Sequence, residues 1–236
     1  MNLTDILADR GERNARTLRI YGVVSGVVSD NHDPEGRARV KVKLPWLEEN
    51  AESDWAKIMS FMTGKERGAI FLPEVGDEVL VAFEHGDIHH PYVLGGLWNS
   101  KDPPPDANSD GKNNIRKIKS RSGHELIFCD DDQGRKERVE IHTKAGHKIV
   151  LDDSAGAEKI EICDKTGSNS IQIDSVKNDM GLTSQLSMKL HSTQIEITGD
   201  ASIKLKAPQI EVSADAMLKL SAGGLLEISG AMVKIN

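Results

Sequence analysis

The sequence predicts an all-β protein in two parts: a small closed barrel, then an intertwined β-helix built by three copies of the chain. Three observations predict it. Short strands of alternating polarity fill residues 18–98. Pairs of apolar residues recur every seven or eight positions from residue 195 onward. Aromatics make up only 4% of the chain, and Phe128 is the one ring beyond residue 98. An ordinary core of more than a hundred residues uses more rings than that.

The 236 residues suffice for one large domain or two small ones. Charged residues make up 28% and the net charge is −7, which argues against a sequence-independent grip on nucleic acid. Cys129 and Cys163 are too few for a disulfide framework and lie in no CxxC context, so they read as small strand residues. The start, MNLTDILADRGERNAR, has no apolar run of signal-peptide length, and no stretch approaches the roughly 18 apolar residues of a membrane span. Synthesis in the cytoplasm without a signal peptide is the expectation.

Four segments follow in order. Residues 1–17 are polar, with Leu3, Ile6 and Leu7 spaced for one short helix. Residues 18–98 carry the barrel. Its expected strands are Leu18–Val28, Ala38–Leu44, Trp55–Phe61, Glu78–Phe83 and Tyr92–Leu97, separated by turns such as DNHDPEGR at 30–37 and PEVGD at 73–77. Five or six short strands in about 80 residues suit a closed barrel of the OB type, because closure removes exposed edges. Residues 99–114, with three consecutive prolines, are a linker. Residues 115–236 are repetitive.

The first repeats are long. SGHELIFCDD (122–131) returns as AGHKIVLDD (145–153) and GSNSIQID (167–174), with Gly123, Gly146 and Gly167 at the turns. RVEIHT (138–143) and KIEICD (159–164) lie between them. Each unit reads as strand, polar turn, strand.

The second repeats are shorter. The apolar pairs are Ile195/Ile197, Ile203/Leu205, Ile210/Val212, Leu218/Leu220, Leu226/Ile228 and Val233/Ile235. One polar residue stands inside each pair: Glu196, Lys204, Glu211, Lys219, Glu227 and Lys234. Alternation puts each pair on one face and its polar residue on the other. Eight residues make one strand and a turn, whereas a layer of a single-chain β-helix needs roughly 20. One chain therefore leaves its apolar stripe uncovered. Three identical chains around a threefold axis would bury all twelve of these apolar residues in a narrow core, where Ile, Leu and Val fit and rings do not. Six layers at about 4.8 Å make roughly 29 Å of such a prism.

Candidate chemistry is sparse. His85, Asp87, His89 and His90 are of metal-ligand type, but neighbouring His side chains on a strand diverge, so a solvated loop is the expectation. Asp130–Asp132 and Asp152–Asp153 lack the spacing of a calcium loop. His124, His142 and His147 fall at strand starts or on strand faces. No nucleophile elbow or phosphate-binding glycine loop is present. Arg37, Arg39, Lys41 and Lys43 form one short basic patch, the only hint of oligonucleotide binding by the barrel. No enzyme activity and no cofactor are expected.

Several segments resemble the phage baseplate protein V and VgrG-type spike family. They are YGVVSGVVSDNHDPEGRARVKVKLPW (21–46), SDWAKIMSF with Trp55, GAIFLPEVGDEVLVAFEHGD (68–87) and HHPYVLGGLWNS (89–100), and the later repeats look like the stalk of the same family. The resemblance spans roughly residues 18 to 236. It implies a trimeric central spike of a contractile injection machine: a phage tail, a tailocin, an extracellular injection system or a type VI secretion system. The OB domain would mount on a baseplate hub and the stalk would pierce the target envelope. Residues 1–17 leave no room for a hub domain, so a separate hub protein is expected there. A blunt end at Met232, Val233, Lys234, Ile235 and Asn236 implies contact with a tip protein of the PAAR type. A trimeric adhesin or polysaccharide-binding fibre is the alternative, less suited to a hub-docking barrel.

Overall fold

A computed structural model describes residues 19–47 and 51–234. The short helix expected in residues 1–17 lies outside the described residues. Two units are distinguished, one ending at Gln185 and one from Leu186 onward.

The first unit begins with β1 (Val24–Asp30), β2 (Lys41–Lys43), β3 (Lys57–Ile58), the small hairpin β4 (Thr63–Gly64) and β5 (Arg67–Gly68), β6 (Glu78–Phe83) and β7 (Pro91–Gly96). The sheet order is β2-β1-β6-β7-β3. β3 runs parallel to β7, and the segment before it meets the β2 side through the bridges Val40↔Ala56 and Lys43↔Glu52. The backbone bonds Val40 N to Ala56 O (3.1 Å) and Ala56 N to Val40 O (2.7 Å) close the ring. Closure leaves no long edge for another chain to pair with.

The barrel core is made of valine. Val28, Val40, Val42, Val79, Val81 and Val93 are the largest wholly enclosed side chains, with Leu44, Ala56 and Phe83 around them. β6 alternates between half-buried and buried along EVLVAF, the period-two pattern of a strand with one face on a core. Each enclosed valine contributes about 1.5–2 kcal/mol relative to exposure. Gly26 is glycine for a steric reason: a Cβ there would overlap Val42 Cγ1 and lie 2.9 Å from the Lys43 carbonyl oxygen.

Three sequence expectations are corrected here. The first strand starts at Val24, so Tyr21 and Val23 stay exposed. The Ala38–Leu44 strand shortens to Lys41–Lys43, since Ala38 adopts φ +55° and so cannot lie in a strand. The Trp55–Phe61 strand shrinks to Lys57–Ile58, because pairing to β7 ends there, and Phe61 is 85% exposed in the following loop.

No strand lies between Gly96 and Ile115. Seven strands of five residues follow: β8 (Ile115–Lys119), β9 (Glu125–Cys129), β10 (Arg138–His142), β11 (Lys148–Asp152), β12 (Lys159–Cys163), β13 (Ser170–Asp174) and β14 (Asp179–Thr183). Each pairs antiparallel with the next, giving a meander in sequence order. Gly123, Gly146 and Gly167 have φ of +88°, +99° and +75°, a left-handed conformation that turns need and glycine supplies without strain.

The second unit forms no sheet within the chain among its described residues. Its backbone carries no assigned strand and bends at Thr193, Asp200–Ala201, Pro208, Asp215–Ala216, Gly223–Gly224 and Ala231. The bends fall between the apolar pairs, at the period of seven or eight residues read from the sequence. The repetitive region is thus two structures: hairpins that pair within the chain up to Thr183, and segments from Leu186 that pair with no strand among the described residues.

Candidate assembly surface

Registered partners in a sheet point to the same side, so the meander's register assigns every residue to a face. One face carries two unbroken apolar rows. The first is Ile118–Leu126–Ile141–Ile149–Ile162–Ile171–Leu182. The second is Phe128–Val139–Leu151–Ile160–Ile173–Met180, with Arg116 beside Phe128 at its start. No described part of the chain covers them: the eleven most open side chains of the two rows are between 37% and 60% exposed. A contiguous apolar surface of this extent marks an interaction site.

The opposite face is charged yet better covered. Cys129, Val150 and Cys163 are buried there, because long Lys, Arg and Glu stems lie over them. Each glutamate of this face sits between two basic side chains. Glu125 meets Lys119 Nζ at 3.0 Å and Lys117 Nζ at 3.6 Å. Glu161 meets Lys148 Nζ and Lys159 Nζ, both at 3.0 Å. Glu140 contacts Arg138, and its Oε2 lies 2.7 Å from His142 Nε2. Glu161 and Glu125 are accordingly held below the usual carboxylate range, first by the hydrogen bonds from Lys159 and Lys119.

The described residues of the expected trimer core are not buried by their own chain. Ile195, Ile203, Ile210, Leu218, Leu226 and Val233, the first of each pair, are 52–54% exposed. Ile197 (68%), Leu205 (75%), Val212 (62%), Leu220 (66%) and Ile228 (66%), the second of each described pair, are more open still. The physical reason is that the second unit pairs with no strand of its own chain among the described residues, so none of these lies over the described members of the pairs. Exposures this even from repeat to repeat mean the same geometry in every repeat. Ile235, partner of Val233, lies outside the described residues, as does Asn236. Met232 is 87% exposed and Lys234 is also exposed. Met188 and Leu190, at 52% and 73%, form a further pair that the sequence reading misses. A signal is present: Met188 stands seven residues before Ile195. The sequence reading also leaves the meander rows out of the candidate core, since their partners become visible only with the register.

The histidine cluster does not assemble. His89 Nδ1 lies 2.9 Å from Asp54 Oδ2, while His90 Nδ1 lies 3.2 Å from Asp87 Oδ2. His85 adopts φ +50° in a short 3₁₀ turn, Glu84–Gly86. Among the described residues no three His, Cys, Asp or Glu side chains are grouped to hold a metal ion. His124 and His147 serve the turns instead: their Nδ1 atoms accept from Lys144 N (3.4 Å) and Lys165 N (3.2 Å). The acidic turns cap themselves, as where Asp131 Oδ1 accepts from Gly134 N and Asn114 Nδ2.

The basic patch is largely neutralised. Arg39 forks onto Asp33 with two bonds of 2.8 Å, Arg37 pairs with Glu35, and Lys41 with Glu52 at 3.0 Å. That pairing pushes the Asp33 carboxyl well below its usual range, through the Arg39 bond above all. Trp55 lies beside Arg39 and Lys41, 5.9 and 5.6 Å from its ring centre. Charges already occupied in this way disfavour the oligonucleotide reading. No described helix is long and apolar enough to cross a membrane.

Comparison with known proteins agrees with the barrel. Residues 24–98 match the type VI secretion system/phage-baseplate injector OB domain. The type VI secretion system spike protein VgrG4b of Pseudomonas aeruginosa is 30% identical over 148 residues, 53% of this chain and 18% of that protein. The spike protein VgrG3 of Vibrio cholerae is 28% identical over 122 residues, 48% of this chain and 12% of the relative. The actin cross-linking toxin VgrG1 of Vibrio cholerae is 29% identical over 114 residues, covering 45% of this chain and 10% of its own length. The match thus spans less than a fifth of each of these relatives. Residues 24–98 are thus an injector OB barrel, and the chain is similar to VgrG-type spike proteins over about half of its length.

Proposed function

We propose that this chain is the structural central spike of a contractile injection machine, assembled as a homotrimer, mounted on a baseplate hub and driven through a target envelope when the sheath contracts. The observation that carries the reading is the pairing of an injector OB domain with apolar faces that the chain does not cover alone. Three copies around one axis would turn those faces inward and the charges outward. The result is a stiff rod without free edges, suited to transmitting force. The role is mechanical rather than catalytic. The proposed partners are a baseplate hub at the OB end and a tip protein of the PAAR type at the far end of the stalk. The segments 1–17, 18–98, 99–114 and 115–236 then serve as hub contact, barrel, linker and stalk.

Two measurements test the reading. Native mass spectrometry of the full chain should give a trimer that resists SDS without heating; a monodisperse monomer would sink it. In the producing cell, a tagged chain should co-purify with sheath and tube proteins of one particle. Recovery as free trimers alone would overturn the spike and favour a fibre.

A further inference from the structure

A charge of alternating sign runs the length of the second unit. Between the two apolar residues of successive repeats stand Lys189, Glu196, Lys204, Glu211, Lys219, Glu227 and Lys234. The sign changes at every step. All seven are exposed, and among the described residues none is ion-paired within the chain. Each lies on the side of its strand opposite the apolar pair. Consecutive charges are seven or eight residues apart, roughly 25 Å of extended chain, so the alternation offers the single chain little.

We infer that this alternation fixes the register in which three copies of the chain stack, each Glu of one copy meeting a Lys of another in the layers above and below. The inference rests on the three-chain reading. Threefold symmetry places the three copies of one repeat at the same height and the three copies of the next repeat one layer on. A strand's neighbours on its own face are therefore the preceding and following repeats, carried by other chains. The surface charge of a Glu repeat then lies about 4.8 Å from Lys repeats on both sides. This protein already makes such a contact between neighbouring strands, where Lys148 Nζ of β11 reaches Glu161 Oε1 of β12 at 3.0 Å.

The apolar pairs cannot set the register by themselves. All are Ile, Leu, Val or Met at the same spacing, so a copy that slips by one repeat still finds an apolar partner at nearly every layer. The same slip puts Lys against Lys and Glu against Glu, and like charges directly opposite are destabilising. A slip of two repeats restores the signs but leaves two repeats of one copy uncovered. The charges discriminate against the near-degenerate arrangement, as flanking charges do in coiled coils.

Three full-length proteins test this. The first is the natural chain. The second carries Glu196→Lys, Lys204→Glu, Lys219→Glu and Glu227→Lys, which keeps net charge and composition but places like charges at four of the six steps. The third inverts all seven signs and so keeps the alternation. Native mass spectrometry counts the chains, and thermal melting in dilute and molar salt reads the stack. The permuted trimer is expected to melt roughly 10 °C lower in dilute salt, with the gap shrinking in molar salt. The inverted trimer should melt with the natural one. A permuted trimer as stable as the natural one overturns the register role, as does an inverted trimer as weak as the permuted one. A monomeric natural chain overturns the three-chain reading itself.

Discussion

In the barrel, Val79 and Val81 are wholly enclosed by the chain that carries them, whereas Ile160 and Ile162 of the meander stand 41% and 44% exposed. The strands are of the same kind, EVLVAF and KIEIC, with apolar residues at every second position. The difference is topology. The barrel sheet curls until β3 meets the β2 side, so its inner face is lined by its own residues. The meander adds each strand beside the last and never returns, so its apolar rows face outward for as long as the chain is alone. A closed sheet is complete in one chain; an open one with a continuous apolar face asks for another surface.

That contrast can be broken from either side. The largest effect is expected from Ile210→Asp, which would put three carboxylates into one layer of the proposed shared core. Each costs several kcal/mol, and the chain should sediment as a monomer while the barrel stays folded. A trimer that survives would remove Ile210 from the core. Next comes Val81→Ala. It leaves a cavity inside the barrel and should cost about 2–3 kcal/mol of barrel stability, read by tryptophan fluorescence during denaturant unfolding, without altering the trimer mass. Gly26→Ala tests the close approach of β1 and β2. Its Cβ would overlap Val42 and the Lys43 carbonyl, costing about 1–3 kcal/mol by the same readout; an unchanged unfolding midpoint would mean the strands can part freely.

The smallest effect is local and set by pH. Asp164 accepts from the side chain and backbone N–H of Asn169 and from the Thr166 hydroxyl, and its pKa falls from 3.8 to about 2, with the Asn169 side chain the main cause. A lowered folded-state pKa means the turn's contribution is complete above 3.8 and is lost as pH falls towards about 2. Hydrogen exchange at Ser168 and Asn169 should therefore speed up across that window in the natural chain and show no such step in Asp164→Asn.

The strands β6 and β10 to β13 are legible in the sequence because alternation over five or six residues with glycine turns has one reading. β3 is not, since Trp55–Phe61 looks alternating throughout, yet pairing with β7 stops at Ile58↔Val93 and the chain leaves for the β4–β5 hairpin. Likewise Met188/Leu190 is hidden because methionine and leucine blur into the polar stretch before Ile195, and only the matching exposures reveal it. The stripe at 195–235 is legible from its spacing, and so is its exposure in one chain: Ile197, Leu205, Val212, Leu220 and Ile228 meet no covering surface among the described residues. The histidines at 85, 89 and 90 are close in sequence, but His89 and His90 face different carboxylates, which no spacing rule could say.

Side-chain periodicity alone establishes the local state of the chain: all-β, short alternating strands, and repeats with one apolar and one charged side. Periodicity acts over a few residues, so a sequence pattern can carry it. Three further features come only from the fold. The barrel closes through Val40 and Ala56, hairpin pairing stops at Thr183, and thirteen apolar side chains line up into two rows across the meander. Register and closure depend on contacts between residues far apart in the chain, and a sequence pattern carries the face of each strand but not its neighbour.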